Sequence, residues 1–166
     1  MPILWSPLIV FSFVYTHKNK GYSSNKDHIA LILANNIIYE RYLLYSDGVF
    51  LLIMLFKKNK KPYKVYTPKN ASDFKKIINN PKVKSIYIFG HGVKHGIKLN
   101  KKEVLYYCEM KNTLKKDFIA QLHCNHSYGN SLADYIGKNS YVVDGKRNAF
   151  KNLKYCFNLY HKNIIN

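Results

Sequence analysis

The sequence predicts an α/β protein, a three-layer α/β/α sandwich built on a mainly parallel sheet. Three observations carry that expectation. Short apolar runs rich in β-branched and aromatic residues alternate along the chain with segments that carry helix caps and helical spacing. Two of those runs pass directly into Gly-His-Gly and His-Cys-Asn, the kind of polar residues that line the crevice at the carboxyl ends of parallel strands. At 166 residues and 47% hydrophobic composition, the chain is long and apolar enough for one buried core. No internal repeat, low-complexity linker or shift in composition divides it, so a single domain over residues 1–166 is expected.

In chain order, residues 8–15 (LIVFSFVY) are expected to form a first, fully buried strand. Asp27 is expected to cap a helix running to about Tyr45, with Ile29, Ile32, Ile37, Leu43 and Leu44 apolar and Gly48 as its end. Residues 49–56 fit either a strand or a short buried helix, closed by the lysine-rich loop before Pro62. A short strand follows at 63–67. Ser72 and Asp73 then open a helix with Phe74, Ile77 and Ile78 on one face, stopped by Pro81. Residues 85–89 (SIYIF) form the clearest strand and lead into Gly90-His91-Gly92. Residues 117–122 form the next and lead into His123-Cys124-Asn125. Ser131-Leu132-Ala133-Asp134 has the form of a capping box, so a helix starts there, with Gly137 as its terminator. A last short strand is expected at 141–143, and helix beyond it.

Composition narrows the partners. The net charge is +18, yet only Arg41 and Arg147 among the 27 cationic side chains are arginine. Nucleic-acid readers rely on arginine for bidentate and stacking contacts, so no specific nucleic-acid partner is expected from this charge. Non-specific adhesion to polyanions, and peripheral membrane or partner-protein contact through a lysine-rich surface, stay open. Three cysteines, Cys108, Cys124 and Cys156, without a CxxC pair fit a reducing, cytoplasmic setting better than a disulfide scaffold. Residues 1–15 lack the basic start and small-residue cleavage site of a secretory signal, and no apolar run reaches the roughly 20 residues of a membrane span.

The chemistry is expected at the two strand ends. If the strands are neighbours, His91 and Cys124 share one crevice, and an imidazole beside a thiol favours the nucleophilic thiolate. The backbone N–H groups of Gly92 and Cys124 then form a candidate oxyanion hole. His95, Glu109, His123, His126 and Asp144 are candidate crevice residues, with Glu109 placed to orient His91 and Asp144 to attract a basic side chain of the substrate. Cys108 and Cys156 read as structural.

A hydrophobic strand ending in His-Gly, followed by a second ending in Cys, resembles the caspase-like cysteine peptidases. The pattern is closest to the CHAT, gingipain and clostripain types. Gly129-Asn130-Ser131-Leu132-Ala133-Asp134-Tyr135-Ile136 resembles the Gly-x-Ser-Leu-Ala helix that follows the nucleophile in such members, and Tyr141-Val142-Val143 resembles the next core strand. The resemblance implies a caspase-like fold, hydrolysis of a peptide or protein substrate without a cofactor, His91 as base and Cys124 as nucleophile. It covers residues 63–145, with the N-terminal elements compatible. Three features depart from the family. His123 stands where a small residue is usual, Gln121 precedes the cysteine by three places rather than two, and the His-to-Cys spacing falls short of the roughly 50 residues of caspases.

Two other classes compete. A catalytically silent caspase-like interaction module would keep the fold without the chemistry, and a basic nucleic-acid binder would rest on charge alone. His91, His95, Cys108, His123, Cys124 and His126 also form a cluster of zinc-type ligand residues along the chain, but their spacing matches no common zinc motif, so no metal is expected.

Overall fold

A computed structural model describes residues 6–21, 26–34, 45, 47–124, 131–142 and 149–161. The helices are α1 (Ser6–Lys18), α2 (Val49–Lys58), α3 (Ala71–Ile78), α4 (Leu132–Ile136) and α5 (Ala149–His161). The strands are β1 (His28–Ala34), β2 (Tyr63–Tyr66), β3 (Val83–Val93), β4 (Gly96–Lys98), β5 (Val104–Tyr106), β6 (Lys116–Gln121) and β7 (Gly137–Val142), with a 3₁₀ turn over Tyr107–Met110.

The sheet runs β2-β1-β3-β6-β7, and every one of those pairings is parallel. The β4–β5 hairpin extends β3 in antiparallel fashion. Each face of the sheet is covered by helix, because parallel strands joined by crossovers leave no face for water. β1 (HIALILA) illustrates this, since all seven of its residues are buried. Its odd residues Ile29, Leu31 and Leu33 pack with Tyr87, Phe89, Phe118 and Leu122 against α1, α2 and α5. Its even residues Ala30, Ile32 and Ala34 pack with Ile86, Ile88 and Ile119 against α3, α4 and the 3₁₀ turn. The expected three-layer α/β/α sandwich with a mainly parallel sheet is therefore the observed architecture.

Several local expectations are corrected. Residues 8–15 lie in helix α1, not in a strand. A run apolar at every position but Ser12 carries no clear period, so it cannot separate a buried strand from a helix. Residues 28–34 are strand β1, not the start of a helix, because a strand buried on both faces is apolar at consecutive positions just as a buried helix is. The remainder of that expected helix, residues 35–44, lies outside the described residues. Tyr45 is helical, and Gly48 lies in the turn that follows it, as the residue that caps the start of α2. Its φ of 94° is left-handed, and a Cβ there would come 2.8 Å from the Cys156 Cβ of α5. The cap of α3 is Asn70, whose Oδ1 accepts from the Asp73 N–H at 2.8 Å, two residues ahead of the expected start. The Ser131 capping box is present as expected, with Asp134 Oδ2 accepting from the Ser131 N–H and Gly137 closing the helix. The expected last strand corresponds to β7, which starts earlier, at Gly137; Val143 lies outside the described residues. The β4–β5 hairpin was not expected at all.

One buried cation ties the amino-terminal edge of the sheet. Lys116, only 2% exposed, donates from Nζ to the carbonyls of Asn80 at 2.9 Å and Val83 at 2.8 Å. Burial, aided by the Lys84 charge and opposed by Asp117, lowers its pKa to about 8. The unfolded chain therefore binds more protons between pH 8 and the ordinary lysine range. Stability rises as pH climbs through that window, and the penalty for the charged form is fully present below it. Relative to Lys116→Met, the wild type should gain about 2 kcal/mol between pH 7 and pH 9.5. Urea unfolding of both proteins at the two pH values checks this, and a constant difference would refute it.

Candidate functional site

β3 and β6 are adjacent and parallel, with Ile86 opposite Ile119 and Ile88 opposite Gln121. The Leu122 N–H continues the ladder by donating to the Ile88 carbonyl at 2.8 Å. The ladder ends there: His91 lies three residues beyond Ile88, still within β3, and Cys124 lies three beyond Gln121, past the end of β6. Parallel neighbours lie about 4.8 Å apart. Alternation fixes the faces as well. Tyr87 and Phe89 of β3 share one core layer with Phe118, Ala120 and Leu122 of the β6 strand, while the His123 ring meets Tyr107 of the opposite layer at 6.2 Å. Counting on by two along β3 puts His91 on the face of Tyr87 and Phe89.

The contact that closes the rim is made by Gly92. A Cβ built on Gly92 would lie 1.6 Å from the Cys124 carbonyl oxygen and 3.0 Å from His123 Nδ1. Only a glycine lets the two strand ends approach so closely. Gly92 also pairs with Ile97 across the hairpin, and His91 with Lys98. His91 is exposed, and Cys124 is half-buried and not part of a disulfide. The sulfur is thus not sealed in the interior.

Four buried polar groups hold this segment. His123, 1% exposed, has Nδ1 at 3.0 Å from the Cys124 carbonyl. A carbonyl can only accept, so the proton of that bond sits on Nδ1. Gln121 accepts from the Leu132 N–H at 3.0 Å and donates to the Tyr107 hydroxyl at 3.4 Å, joining the strand to the first turn of α4. Burial pushes the Tyr107 phenol well above its usual range, a charge on Cys124 adds to the effect, and the Gln121 bond opposes it. On the other face, Asn152 of α5 donates to Asp47 Oδ2 at 2.8 Å and to the Leu122 carbonyl at 3.2 Å. The Cys156 thiol donates to the Asp47 carbonyl at 3.3 Å, so α5 is pinned to the strand that presents Cys124.

The remaining candidates are distributed differently from expectation. His123 is buried and braces backbone; it is not a wall of an open crevice. Glu109 is committed elsewhere: Oε2 pairs with Lys75 at 2.9 Å and Oε1 caps the Tyr106 N–H at 3.0 Å. Those bonds hold its carboxyl below the usual range, and it does not serve as the expected orienter of His91. His95 is exposed at the two-residue turn of the β3–β4 hairpin with a φ of 59°, and its carbonyl accepts from the Tyr107 N–H. Cys108 is exposed, whereas Cys156 is buried as expected. His126 and Asp144 lie outside the described residues. Among the described residues, no three His, Cys, Asp or Glu side chains converge in a way that could hold a metal ion.

Gln121, Asn152 and Asp47 were missed as site supports. The signal for Asn152 was in the sequence: it shares a helical stripe with Cys156 and Leu159, a polar residue on a buried face. Lys98 had no comparable signal, since only the hairpin register places it opposite His91. Compared with known families, curated proteins and solved structures, the chain matches none of them significantly.

Proposed function

We propose that the protein is a small caspase-like cysteine peptidase acting through a His91/Cys124 dyad. The observation that supports this reading most directly is the contact of Gly92 with the Cys124 carbonyl, at the end of two adjacent parallel strands in register. The first step is attack of the Cys124 thiolate on the scissile carbonyl carbon, with the carbonyl electrons moving to oxygen. The N–H groups of Gly92 and Cys124 are the donors assigned to that oxyanion. Collapse of the adduct breaks the C–N bond, and the imidazolium of His91 gives its proton to the departing amine. Water, deprotonated by the now neutral His91, then attacks the acyl thioester and releases a carboxylic acid and the thiolate. The reaction needs no metal or cofactor. Half-buried Lys98, paired with His91 across the hairpin, brings positive charge to the rim, which suits acidic peptides in preference to basic ones.

A reducing cytoplasmic setting suits an enzyme whose nucleophile is a thiol outside any disulfide. Among the described residues no helix is long and apolar enough to cross a membrane.

The test is covalent labelling with a peptidyl acyloxymethyl ketone. Cys124 sulfur forms a thioether with the methylene carbon as the acyloxy group leaves as carboxylate. Wild type should be labelled at Cys124, with Cys124→Ala and His91→Ala unlabelled. Labelling that persists on exposed Cys108 in Cys124→Ala, with none at Cys124 in the wild type, would favour a catalytically silent interaction module.

A further inference from the structure

Helix α1 packs Phe13 and Tyr15 against the core but also turns apolar side chains outward. Its buried positions include the hydroxyl residues Ser12 and Thr16, whose side-chain oxygens have no hydrogen-bond partner among the described residues. Its outward positions Pro7, Val10, Phe11 and Val14 recur at i, i+3, i+4 and i+7 and form an apolar stripe facing solvent. Val10 is 60% exposed, Phe11 51% and Val14 41%. Phe157 of α5, 49% exposed, lies in the same helical layer. Packing of the sheet in water accounts for Phe13 and Tyr15 on the inner side of this helix, but not for a hydrocarbon stripe on its outer side while Ser12 and Thr16 are buried.

Charge is distributed across the sheet in the same sense. None of α1, α2 and α5 contains an aspartate or glutamate, while all three carry exposed lysines: Lys18, Lys57, Lys58, Lys151 and Lys154. The acidic residues Asp73, Glu109 and Asp134 belong to α3, the 3₁₀ turn and α4, on the opposite side. At the carboxyl ends of α1 and α2 lies a cleft of about 680 Å³, lined by six lysines and His17 and, among the described residues, by no carboxylate. Lys57 is partly engaged there, donating to Asn19 Oδ1 at 2.6 Å.

We propose that the α1/α2/α5 face is a docking surface for an anionic lipid bilayer. Val10, Phe11, Val14 and Phe157 insert among acyl chains at the interface, and the surrounding lysines meet headgroup phosphates and carboxylates. Two chemical features select lipid over nucleic acid. Val10 and Val14 find no apolar partner along a phosphate backbone, and lysine supplies point charges without the planar fork that reads bases. A thirteen-residue α1 lies on such a surface; it is too short to cross it.

The test is co-sedimentation of the full chain with phosphatidylcholine vesicles, with and without phosphatidylserine. Binding should require phosphatidylserine and weaken as salt is raised. Val10→Ser/Val14→Ser should reduce partitioning at least about tenfold. Lys18→Gln/Lys151→Gln/Lys154→Gln should reduce it about five-fold for each lysine removed. Both sets lie at exposed positions, and thermal unfolding reports whether each variant keeps its fold. If the valine pair fails to fold, the lysine set tests the same surface. Equal binding to neutral vesicles, or wild-type partitioning by a folded variant, overturns the proposal. So does DNA binding that competes with vesicles and is indifferent to the valine pair, which would assign the face to nucleic acid instead.

Discussion

Adding one methyl group in Gly92→Ala is expected to destabilise the protein by about 3 kcal/mol. For a chain of this size that lowers the melting temperature by roughly 6–12 °C. The Cβ would meet the Cys124 carbonyl oxygen at 1.6 Å, the closest such approach of any glycine described. That oxygen belongs to backbone and is already bonded to His123, so no rotamer change relieves the overlap. The two strand ends must separate, carrying Cys124 away from His91. Gly90→Ala is the matched control. Its Cβ would meet the Ala34 carbonyl oxygen at 2.8 Å and the mobile tip of Ile97 at 2.9 Å, so the cost there should be smaller. Calorimetry on the two variants decides the matter. A Gly92→Ala protein melting with the wild type would mean that the rim is not closed as described, and the dyad would lose its support.

On the proposed chemistry, Cys124→Ala should lower kcat/KM for peptide hydrolysis by about 10⁴-fold or more, and His91→Ala by about 10³-fold or more. The double variant should be scarcely worse than the single cysteine variant, because nucleophile and base act as one unit. Neither change should move the melting temperature far. His91 is exposed, and Cys124 is half-buried and gives up only a sulfur atom. Fluorogenic peptide libraries with acidic and basic side chains before the cleaved bond provide the measurement. Full activity in either single variant would exclude the dyad. A uniform loss of both activity and melting temperature would indicate unfolding, which the calorimetry identifies.

The candidate site was legible in the sequence to the extent that it was local. SIYIF announces a strand, but Gly-His-Gly does not end it, since β3 runs on to Val93 and pairs with β4; the second run does end just before His-Cys. The Ser131–Asp134 box was equally readable, since a cap depends on residues three apart. The supports of the site were not legible, because their partners are remote. Asn152 reaches Asp47 and Leu122 only after α5 has packed across the sheet. Glu109 offered a carboxylate in the right part of the chain, but Lys75 of α3 takes it. The His123 side chain, an oddity in the sequence, becomes a brace only because Tyr107 and Gly92 close around it.

The fold class was fixed by period and punctuation, which are local quantities: alternating strand and helix signals of about the right lengths demand crossovers, and crossovers demand a parallel sheet. The identity of the first two elements was decided elsewhere. Residues 28–34 are buried on all sides, and residues 8–15 carry apolar side chains at buried and exposed positions alike, so neither run keeps the period that would tell helix from strand. Only the place each run takes in the tertiary structure settles it. Residues 28–34 pair with β2 and β3 on both edges and must be extended to do so, whereas residues 8–15 lie outside the sheet on α2, where a helix alone can satisfy its own backbone.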